Sequence, residues 1–216
     1  MDLAWRRIQA PVWGVLLVVL AACSDRSAPH VAAPPSSSSA PTSSSAVPAA
    51  PPTSMRTFVA FRPDGTAAVS VSRTRTGRCW TTSITVPERG VYRCFAANQI
   101  LDPCFTAPRQ SSPKAVLCVT DPWSVGEWMT LTARLPSVPT ALKSTRPWAL
   151  QLANGFRCVA VTGTVPEIAG VPLGYRCEHN IAAGLTAAHG PTMRARYGPA
   201  DGTSLQTVAV AVAWRG

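Results

Sequence analysis

The sequence predicts an all-β fold, a small disulfide-stapled sandwich or barrel-like domain, with an α+β fold as the alternative. Short runs that alternate apolar and polar residues are separated by turn dipeptides such as Asn154-Gly155. The 21 prolines fall mostly outside these runs. They argue against long helices, because proline lacks a backbone donor and clashes with the preceding helical turn. Six cysteines after residue 56 supply cross-links for a domain of this size.

Three hairpins account for most of the predicted strands. Their turns contain Pro63-Asp64-Gly65, Asn154-Gly155 and Asp201-Gly202. Asn-Gly and Asp-Gly favour tight turns, because these residues tolerate positive φ angles. The flanking strand pairs are 58–61 with 67–72, 148–153 with 156–161, and 193–197 with 205–214.

Two further segments are assigned from their local pattern. The run 128–135 is a strand candidate, whereas 92–101 is predicted as a short helix that ends at Asp102-Pro103. In the last strand, large apolar residues alternate with Thr and Ala, which predicts a strand packed on both sides. These large residues are Val208, Val210, Val212 and Trp214.

The six cysteines of the domain are expected to form three disulfides. They are Cys79, Cys94, Cys104, Cys118, Cys158 and Cys177. Sequence alone allows many pairings. We favour the sequential one, because it closes short loops that local strand pairing would align. No CxxC pair and no His at ligand spacing accompanies them, so we predict no metal site, and no cofactor is expected.

The N-terminus resembles the lipobox signal of bacterial lipoproteins. Arg6 and Arg7 precede an apolar run at 12–20 that is too short to span a bilayer, and Leu20-Ala21-Ala22-Cys23 ends it. The resemblance implies that residues 1–22 are a signal peptide and that Cys23 carries a diacylglycerol and further acyl chains such as palmitate. The protein is then anchored on the extracytoplasmic face of the cell membrane. An ordinary secretory signal, an uncleaved anchor and a twin-arginine signal are the alternatives.

Composition divides the remaining chain into a linker and one domain. Residues 23–56 form the predicted linker, whose stretch 32–54 is almost wholly Ala, Pro, Ser and Thr and should stay unfolded. Such a tether reaches between about 30 Å as a coil and about 100 Å when extended. Residues 57–216 suffice for one domain, and no repeat with a period of about 20 to 50 residues is evident.

Several pieces of the domain resemble a set found in uncharacterised exported bacterial proteins. They are Gly77-Arg78-Cys79-Trp80, Tyr92-Arg93-Cys94, Asp102-Pro103-Cys104-Phe105, Pro147-Trp148-Ala149-Leu150, Asn154-Gly155, Tyr175-Arg176-Cys177 and Ala213-Trp214. The resemblance covers residues 77–214 and implies a shared disulfide fold, without implying catalysis. The chain has 18 Arg against 2 Lys, which is typical of a high-GC genome such as an actinobacterial one.

The charge of the domain favours an anionic partner. After residue 56 the chain has 16 Arg and Lys against 8 Asp and Glu, so exposed cations should attract an acidic glycopolymer, lipid or protein. The candidate anion-binding residues are Arg73 and Arg75 on one strand face and Arg194 and Arg196 on another. The alternative is that these charges only solubilise edge strands. Nucleic acid is not expected, because the predicted compartment is extracytoplasmic and no binding motif occurs.

The residues form no recognisable catalytic constellation. The domain has two histidines, His179 and His189, and no GxSxG motif accompanies them. Of its eight acids, Asp64 and Asp201 belong to predicted turns, and no pair stands out for glycosidase chemistry. Its tryptophans are more typical of a core than of a sugar site. We therefore expect a non-enzymatic binding lipoprotein; the alternatives are a hydrolase of envelope polymers and an inhibitor of a secreted hydrolase.

Overall fold

The computed structural model describes residues 50–109, 113–137, 146–186 and 191–216, which form fourteen strands and no helix. The strands are β1 (Ser54–Thr57), β2 (Val71–Thr82), β3 (Val91–Ala96), β4 (Gln99–Phe105), β5 (Ala115–Cys118), β6 (Gly126–Leu131), β7 (Ala149–Leu152), β8 (Arg157–Ala160), β9 (Glu167–Ile168), β10 (Val171–Pro172), β11 (Tyr175–Cys177), β12 (Ile181–Leu185), β13 (Arg194–Pro199) and β14 (Gln206–Arg215). The prediction of an all-β, barrel-like fold is confirmed.

Strands β2 to β6 close into the first barrel. They pair in sequence, and β2 completes the ring by pairing in parallel with β6. β2 can reach both neighbours because it is 12 residues long: 71–77 pair with β6 and 78–82 pair with β3. Closure leaves this sheet without an unpaired edge strand.

The second barrel consists of β7, β8, β11, β12, β13 and β14, and its neighbouring strands are all antiparallel. Residues 206–209 of β14 pair with β13, and residues 210–214 pair with β7, which closes the ring. β9 and β10 form a separate two-stranded hairpin in the connection between β8 and β11.

Strand β1 adds to the second barrel beside residues 212–215 of β14, in parallel. The Thr53 hydroxyl fixes its approach by donating to the Val210 carbonyl (2.8 Å) and accepting from the Met193 amide (2.7 Å). Composition assigns residues 54–56 to the linker, whereas here they form strand, because their backbone groups find partners on β14. The predicted signal peptide, Cys23 and most of the predicted linker lie outside the described residues.

Three disulfides link neighbouring strands. They are Cys79–Cys94, Cys104–Cys118 and Cys158–Cys177, and in each bond the two cysteines are directly opposite in the strand register. The predicted disulfides and their sequential pairing are confirmed. In the first barrel two bonds lie side by side, so that three buried sulfur atoms are within 4.8 Å of one another. These sulfurs are already bonded as disulfides and are not free thiolate ligands.

The hairpins predicted at Asn154-Gly155 and Asp201-Gly202 are confirmed as β7–β8 and β13–β14. Around Gly65 the predicted hairpin is reduced to a single bridge between Phe61 and Ala67. The predicted helix at 92–101 is wrong. Ala97 and Asn98 have positive φ angles and form a tight turn there from β3 into β4.

The last strand departs from strict alternation at a bulge. The register with β7 shifts between Val210 and Val212. As a result, Val210 and Ala213 both face the interior of the second barrel, while Trp214 packs in a different cluster. A bulge adds one residue to a strand and so moves the following side chains to the opposite face.

An aromatic core joins the two barrels. Trp148 at the start of the second barrel is 2% exposed, and the Phe58 ring lies between it (5.3 Å) and Phe105 of the first barrel (5.5 Å). Trp214 stacks edge-on against Trp123 at 4.7 Å. This shared core brings the outer strands of the two barrels together and creates a cleft between them.

Candidate functional site

Both barrels contain the same sequence element around a disulfide-linked strand pair. In the first barrel it begins with Arg78-Cys79, and after five intervening residues Thr85-Val86-Pro87-Glu88 precedes Tyr92-Arg93-Cys94. In the second barrel the same order recurs. Its members are Arg157-Cys158, Thr164-Val165-Pro166-Glu167 and Tyr175-Arg176-Cys177. Each element pairs its first cysteine strand antiparallel with its second. The repeat therefore places Arg93 and Arg176 at equivalent positions.

These two equivalent arginines line one cleft between the barrels. Its volume is about 290 Å³. The first barrel contributes Arg93, and the second contributes Arg176. Other residues that line the cleft are Thr85, Ile100, Asp102, Thr120 and Thr162. Guanidinium groups and hydroxyls are the donors that proteins use for carboxylate and phosphate groups, so the lining is suited to an anion.

Arg93 has a partial partner on its own barrel. Its Nε atom lies 4.0 Å from an oxygen of Asp102, and its guanidinium also lies over the Trp80 ring at 5.7 Å from the ring centre. That Nε is buried and has no hydrogen-bond acceptor among the described residues. A buried donor without an acceptor is unfavourable, so an anion entering the cleft would be stabilised there.

Asp102 is almost fully buried, with a side chain 4% exposed, and three donors from one segment hold it. The Ser83 hydroxyl, the Ile84 amide and the Thr85 hydroxyl all donate to its carboxylate. Burial raises the pKa of Asp102, and these hydrogen bonds and the nearby Arg93 only partly oppose that rise. The carboxylate therefore anchors the segment after β2 and leaves Arg93 only partly neutralised.

Arg176 lacks such a partner. In the strand register it faces Ala182, and within the described ranges no carboxylate lies at ion-pair distance from it. Arg176 is exposed and borders a second cavity of about 290 Å³ as well. The two cavities share Val159 and Arg176, so they form one groove, which we call the inter-barrel groove.

The far end of the inter-barrel groove contains a third arginine. The Arg157 guanidinium lies over the Trp123 ring at 5.4 Å from the ring centre. Asp121 is also there, but its carboxylate accepts from the Trp123 amide (2.9 Å) and the Ser124 hydroxyl (2.6 Å). It therefore has the turn-forming role expected of an Asp before a proline.

The structure gives the predicted arginine pairs different surroundings. Arg73 and Arg75 both contact Glu127, because the parallel pairing of β2 with β6 places that residue beside them. The hydrogen bond from Arg73 holds the pKa of Glu127 below its ordinary value, so the carboxylate is ionised and compensates part of their charge. Arg75 also donates to Gln99 at 2.8 Å.

Arg194 and Arg196 lie on the outer surface of the second barrel, flanking the buried Ala195 on β13. In the part of the chain that the structure describes, neither side chain has an ion pair or a hydrogen bond. The predicted arginines thus belong to two different barrels. Their role in anion binding stays a prediction, and the Glu127 contacts make Arg194 and Arg196 the more available pair.

Of the two histidines in the domain, only His179 lies within the described residues. His179 is an exposed residue in the turn between β11 and β12, with φ 56°, and its ring contacts Phe156 at 6.4 Å. His189 lies outside the described residues. No helix among the described residues is both long enough and apolar enough to cross a membrane.

Comparison with known proteins leaves the function open. Neither family models, nor curated proteins, nor solved structures gave a match to this chain. The assignment of the site therefore depends on the residues and geometry of this chain. Sequence reasoning missed Arg93 and Arg176 as site residues. The signal available for them was the repeated Thr-Val-Pro-Glu and Tyr-Arg-Cys element, which recurs at a separation longer than the periods of common repeat proteins.

Proposed function

We propose that this protein is a lipid-anchored, extracytoplasmic binding protein that recognises an anionic ligand of the cell envelope in the inter-barrel groove. The observation that carries the proposal is the meeting of the equivalent residues Arg93 and Arg176 in one cleft. Arg93 lies 4.0 Å from Asp102, whereas Arg176 forms no ion pair with a described carboxylate, although Asp121 and Glu178 line the adjoining cavity. The net positive charge of the domain adds a long-range attraction for anions.

Several features favour binding over turnover. The buried carboxylate Asp102 accepts hydrogen bonds that fix a loop, and Asp121 fixes a turn. A glycosidase needs two carboxyl groups on opposite sides of the bond it cleaves. Both of these acids have structural roles, which leaves Glu178 as the one other acid among the described residues that line the groove. The binding experiment therefore also tests the hydrolase alternative.

Membrane attachment depends on the lipobox resemblance at Cys23. We expect Cys23→Ser to release the protein from the membrane fraction or to leave an unprocessed precursor, because two or more acyl chains are needed for lasting anchorage. Fractionation and mass spectrometry of the N-terminal peptide measure this. A fully processed variant that stays in the membrane fraction would contradict the anchor.

The anion site is tested with Arg176→Gln in the purified full chain, titrated with galacturonate and inorganic phosphate by calorimetry. We expect affinity for both to fall about tenfold, because a charge-assisted hydrogen bond is worth about 1.5–3 kcal/mol. Binding should also weaken between low salt and about 0.15 M salt, since ions screen exposed charges. The thermal midpoint should stay near the wild-type value, as for other surface substitutions.

Arg134→Gln is the matched control, because Arg134 is exposed on the first barrel and lies outside the groove lining. It removes the same charge and should change affinity less than twofold, because a screened charge far from the site interacts only weakly with the ligand. Equal losses in the two variants would reject the groove as the site. A larger loss in Arg194→Gln/Arg196→Gln would place binding on β13 instead. Consumption of the ligand over time would support a hydrolase.

A further inference from the structure

Beside the groove, the outer surface of β2, β3 and β4 presents two rows of side chains. The strand register places Phe95 opposite Arg78 on one side and opposite Ile100 on the other. Trp80 and Arg93 come next along β2 and β3, and their side chains are in contact. Directly opposite residues in antiparallel strands have Cβ atoms about 4.5–5.5 Å apart, so these side chains form a continuous surface. We call it the open face.

The open face exposes three large apolar side chains between its arginines. Trp80 is 44% exposed, Phe95 is 39% exposed and Ile100 is 52% exposed. Single exposed apolar residues are common, but a contiguous group that includes two aromatic rings is typical of a binding site. Ile100 and Arg93 also line the inter-barrel cleft, so the open face and the groove are continuous.

In the second barrel the chain itself covers the neighbouring strand β12, whereas Arg157, Arg176 and Glu178 on the equivalent strand pair stay exposed. Four additional residues between Glu167 and Tyr175, relative to the first barrel, build the β9–β10 hairpin. Ile168 and Leu173 from this segment bury Ala182 of β12. Gly184 permits the close approach, since a Cβ there would lie 2.6 Å from the Pro172 carbonyl oxygen. The first barrel has no such hairpin among its described residues, and its outer surface stays exposed.

We propose that the open face and the cleft together bind an acidic glycan. Sugar rings would stack on Trp80 and Phe95, while a carboxylate of the same chain enters the cleft and accepts hydrogen bonds from Arg93 and Arg176. The cleft, at about 290 Å³, has room for about one sugar residue, and the aromatic rings continue the site outward for its neighbours. This inference rests on the anion site proposed above and names its ligand class.

The charges around the aromatic rings favour a glycan over a lipid surface. Arg78 and Arg93 alternate with the aromatic side chains in the two rows, so each apolar contact has a cation next to it. A polymer that alternates sugar rings with carboxylates complements that arrangement. A membrane would instead require the apolar residues to be grouped on one side of the cations.

The test compares tetragalacturonate with neutral galactotetraose, measured by calorimetry on the purified full chain. The variants are Phe95→Ala and Trp80→Ala. We expect each to lower affinity for tetragalacturonate about tenfold, because a half-exposed aromatic side chain buries its remaining apolar surface on binding. Neutral galactotetraose should bind at least tenfold more weakly than tetragalacturonate to the wild-type protein. Val125→Ala is the matched control, since Val125 is 54% exposed and lies outside both rows.

Failure of the glycan inference and failure of the anion site give different results. If Phe95→Ala and Trp80→Ala bind tetragalacturonate like the wild type while Arg176→Gln weakens galacturonate, the glycan inference is wrong and the anion site stands. If Arg176→Gln changes neither ligand, both are wrong. Preferential binding of anionic phospholipid vesicles over tetragalacturonate would also overturn the glycan inference. If Trp80→Ala lowers the thermal midpoint, the affinities of Trp80→Phe and Phe95→Leu for tetragalacturonate test the glycan inference instead.

Discussion

The two barrels begin from the same disulfide-linked strand pair and differ in the residues on its outer side and in the cover over the neighbouring strand. In the second barrel, four extra residues form the β9–β10 hairpin, which buries Ala182. In the first barrel the connection is short, and Trp80 and Phe95 stay exposed. The shared element supplies the scaffold in both barrels, so they differ mainly at the outer surface. An uncovered apolar surface beside a cationic cleft is more typical of ligand binding than of packing.

A second difference concerns the equivalent arginines. Arg93 lies beside the buried carboxylate of Asp102, whereas the residue opposite Arg176 is Ala182. The equivalent arginine therefore has a carboxylate 4.0 Å away in one barrel and no ion pair among the described residues in the other. This asymmetry gives the cleft a cation that is fixed by its own barrel and another that has charge left for a ligand.

The largest expected effect comes from removing disulfides, because the two barrels differ in the number they contain. The first barrel has two disulfides and the second has one. Replacing Cys158 and Cys177 by Ala should lower the free energy of unfolding by about 2–5 kcal/mol, because the unfolded chain gains the entropy of an open loop. Hydrogen exchange should then show the second barrel opening at a lower free energy than the first.

The matched variant replaces Cys104 and Cys118 by Ala and leaves Cys79–Cys94 in the first barrel. Loop lengths are similar, with separations of 14 and 19 residues, so the loop entropies differ little. We expect the first barrel of this variant to stay more protected than the second barrel of the other. Equal loss of protection across both barrels in either variant would show that they unfold as one unit.

The sequence predicts much of this fold where the determinants are local. The β7–β8 hairpin follows from Asn154-Gly155, and sequential disulfides follow from cysteines that neighbouring strands align. The predicted helix at 92–101 fails because Ala97 and Asn98 turn the chain with positive φ angles, and Ala97 gives no hint of this. Positive φ is uncommon for alanine, so tertiary pairing overrides its local preference here.

The candidate site depends on pairings between distant residues, which local patterns do not specify. Arg73 and Arg75 are recognisable from the sequence, but their partner Glu127 becomes a neighbour only through the parallel β2–β6 pairing. Arg93 and Arg176 meet only because the two barrels pack on a shared aromatic core. The topology of the fold determines which distant residues meet, and a single sequence gives little direct indication of that topology.

An intermediate effect separates the equivalent tyrosines of the repeated element. The Tyr175 hydroxyl is buried and donates to the Pro147 carbonyl at 2.7 Å, whereas the Tyr92 hydroxyl has no hydrogen bond to any described residue. Tyr175→Phe should cost about 1–3 kcal/mol of unfolding free energy, because it leaves a buried carbonyl without its donor. Tyr92→Phe is the control and should stay within about 0.5 kcal/mol. Denaturant unfolding measures both, and equal effects would refute the distinction.

The smallest effect concerns two carboxylates of the first barrel whose pKa values move in opposite directions. Hydrogen bonding from Arg73 lowers the pKa of Glu127, so its stabilising contribution is present above its ordinary pKa and is lost as the pH falls through the lowered value. Burial raises the pKa of Asp102. Its ionisation therefore costs the folded state stability, from its ordinary pKa up to the raised value and above.

The variants Glu127→Gln and Asp102→Asn test whether the two carboxylates change stability with pH in opposite directions. Between about pH 3 and pH 6, the stability advantage of wild type over Glu127→Gln should grow with pH, by less than about 1 kcal/mol for a partly exposed ion pair. The advantage over Asp102→Asn should instead shrink with pH. Hydrogen bonds lost in Asp102→Asn add an offset that does not depend on pH, so the slope isolates ionisation. Urea unfolding across this range gives both slopes, and slopes of the same sign would contradict the raised pKa of Asp102.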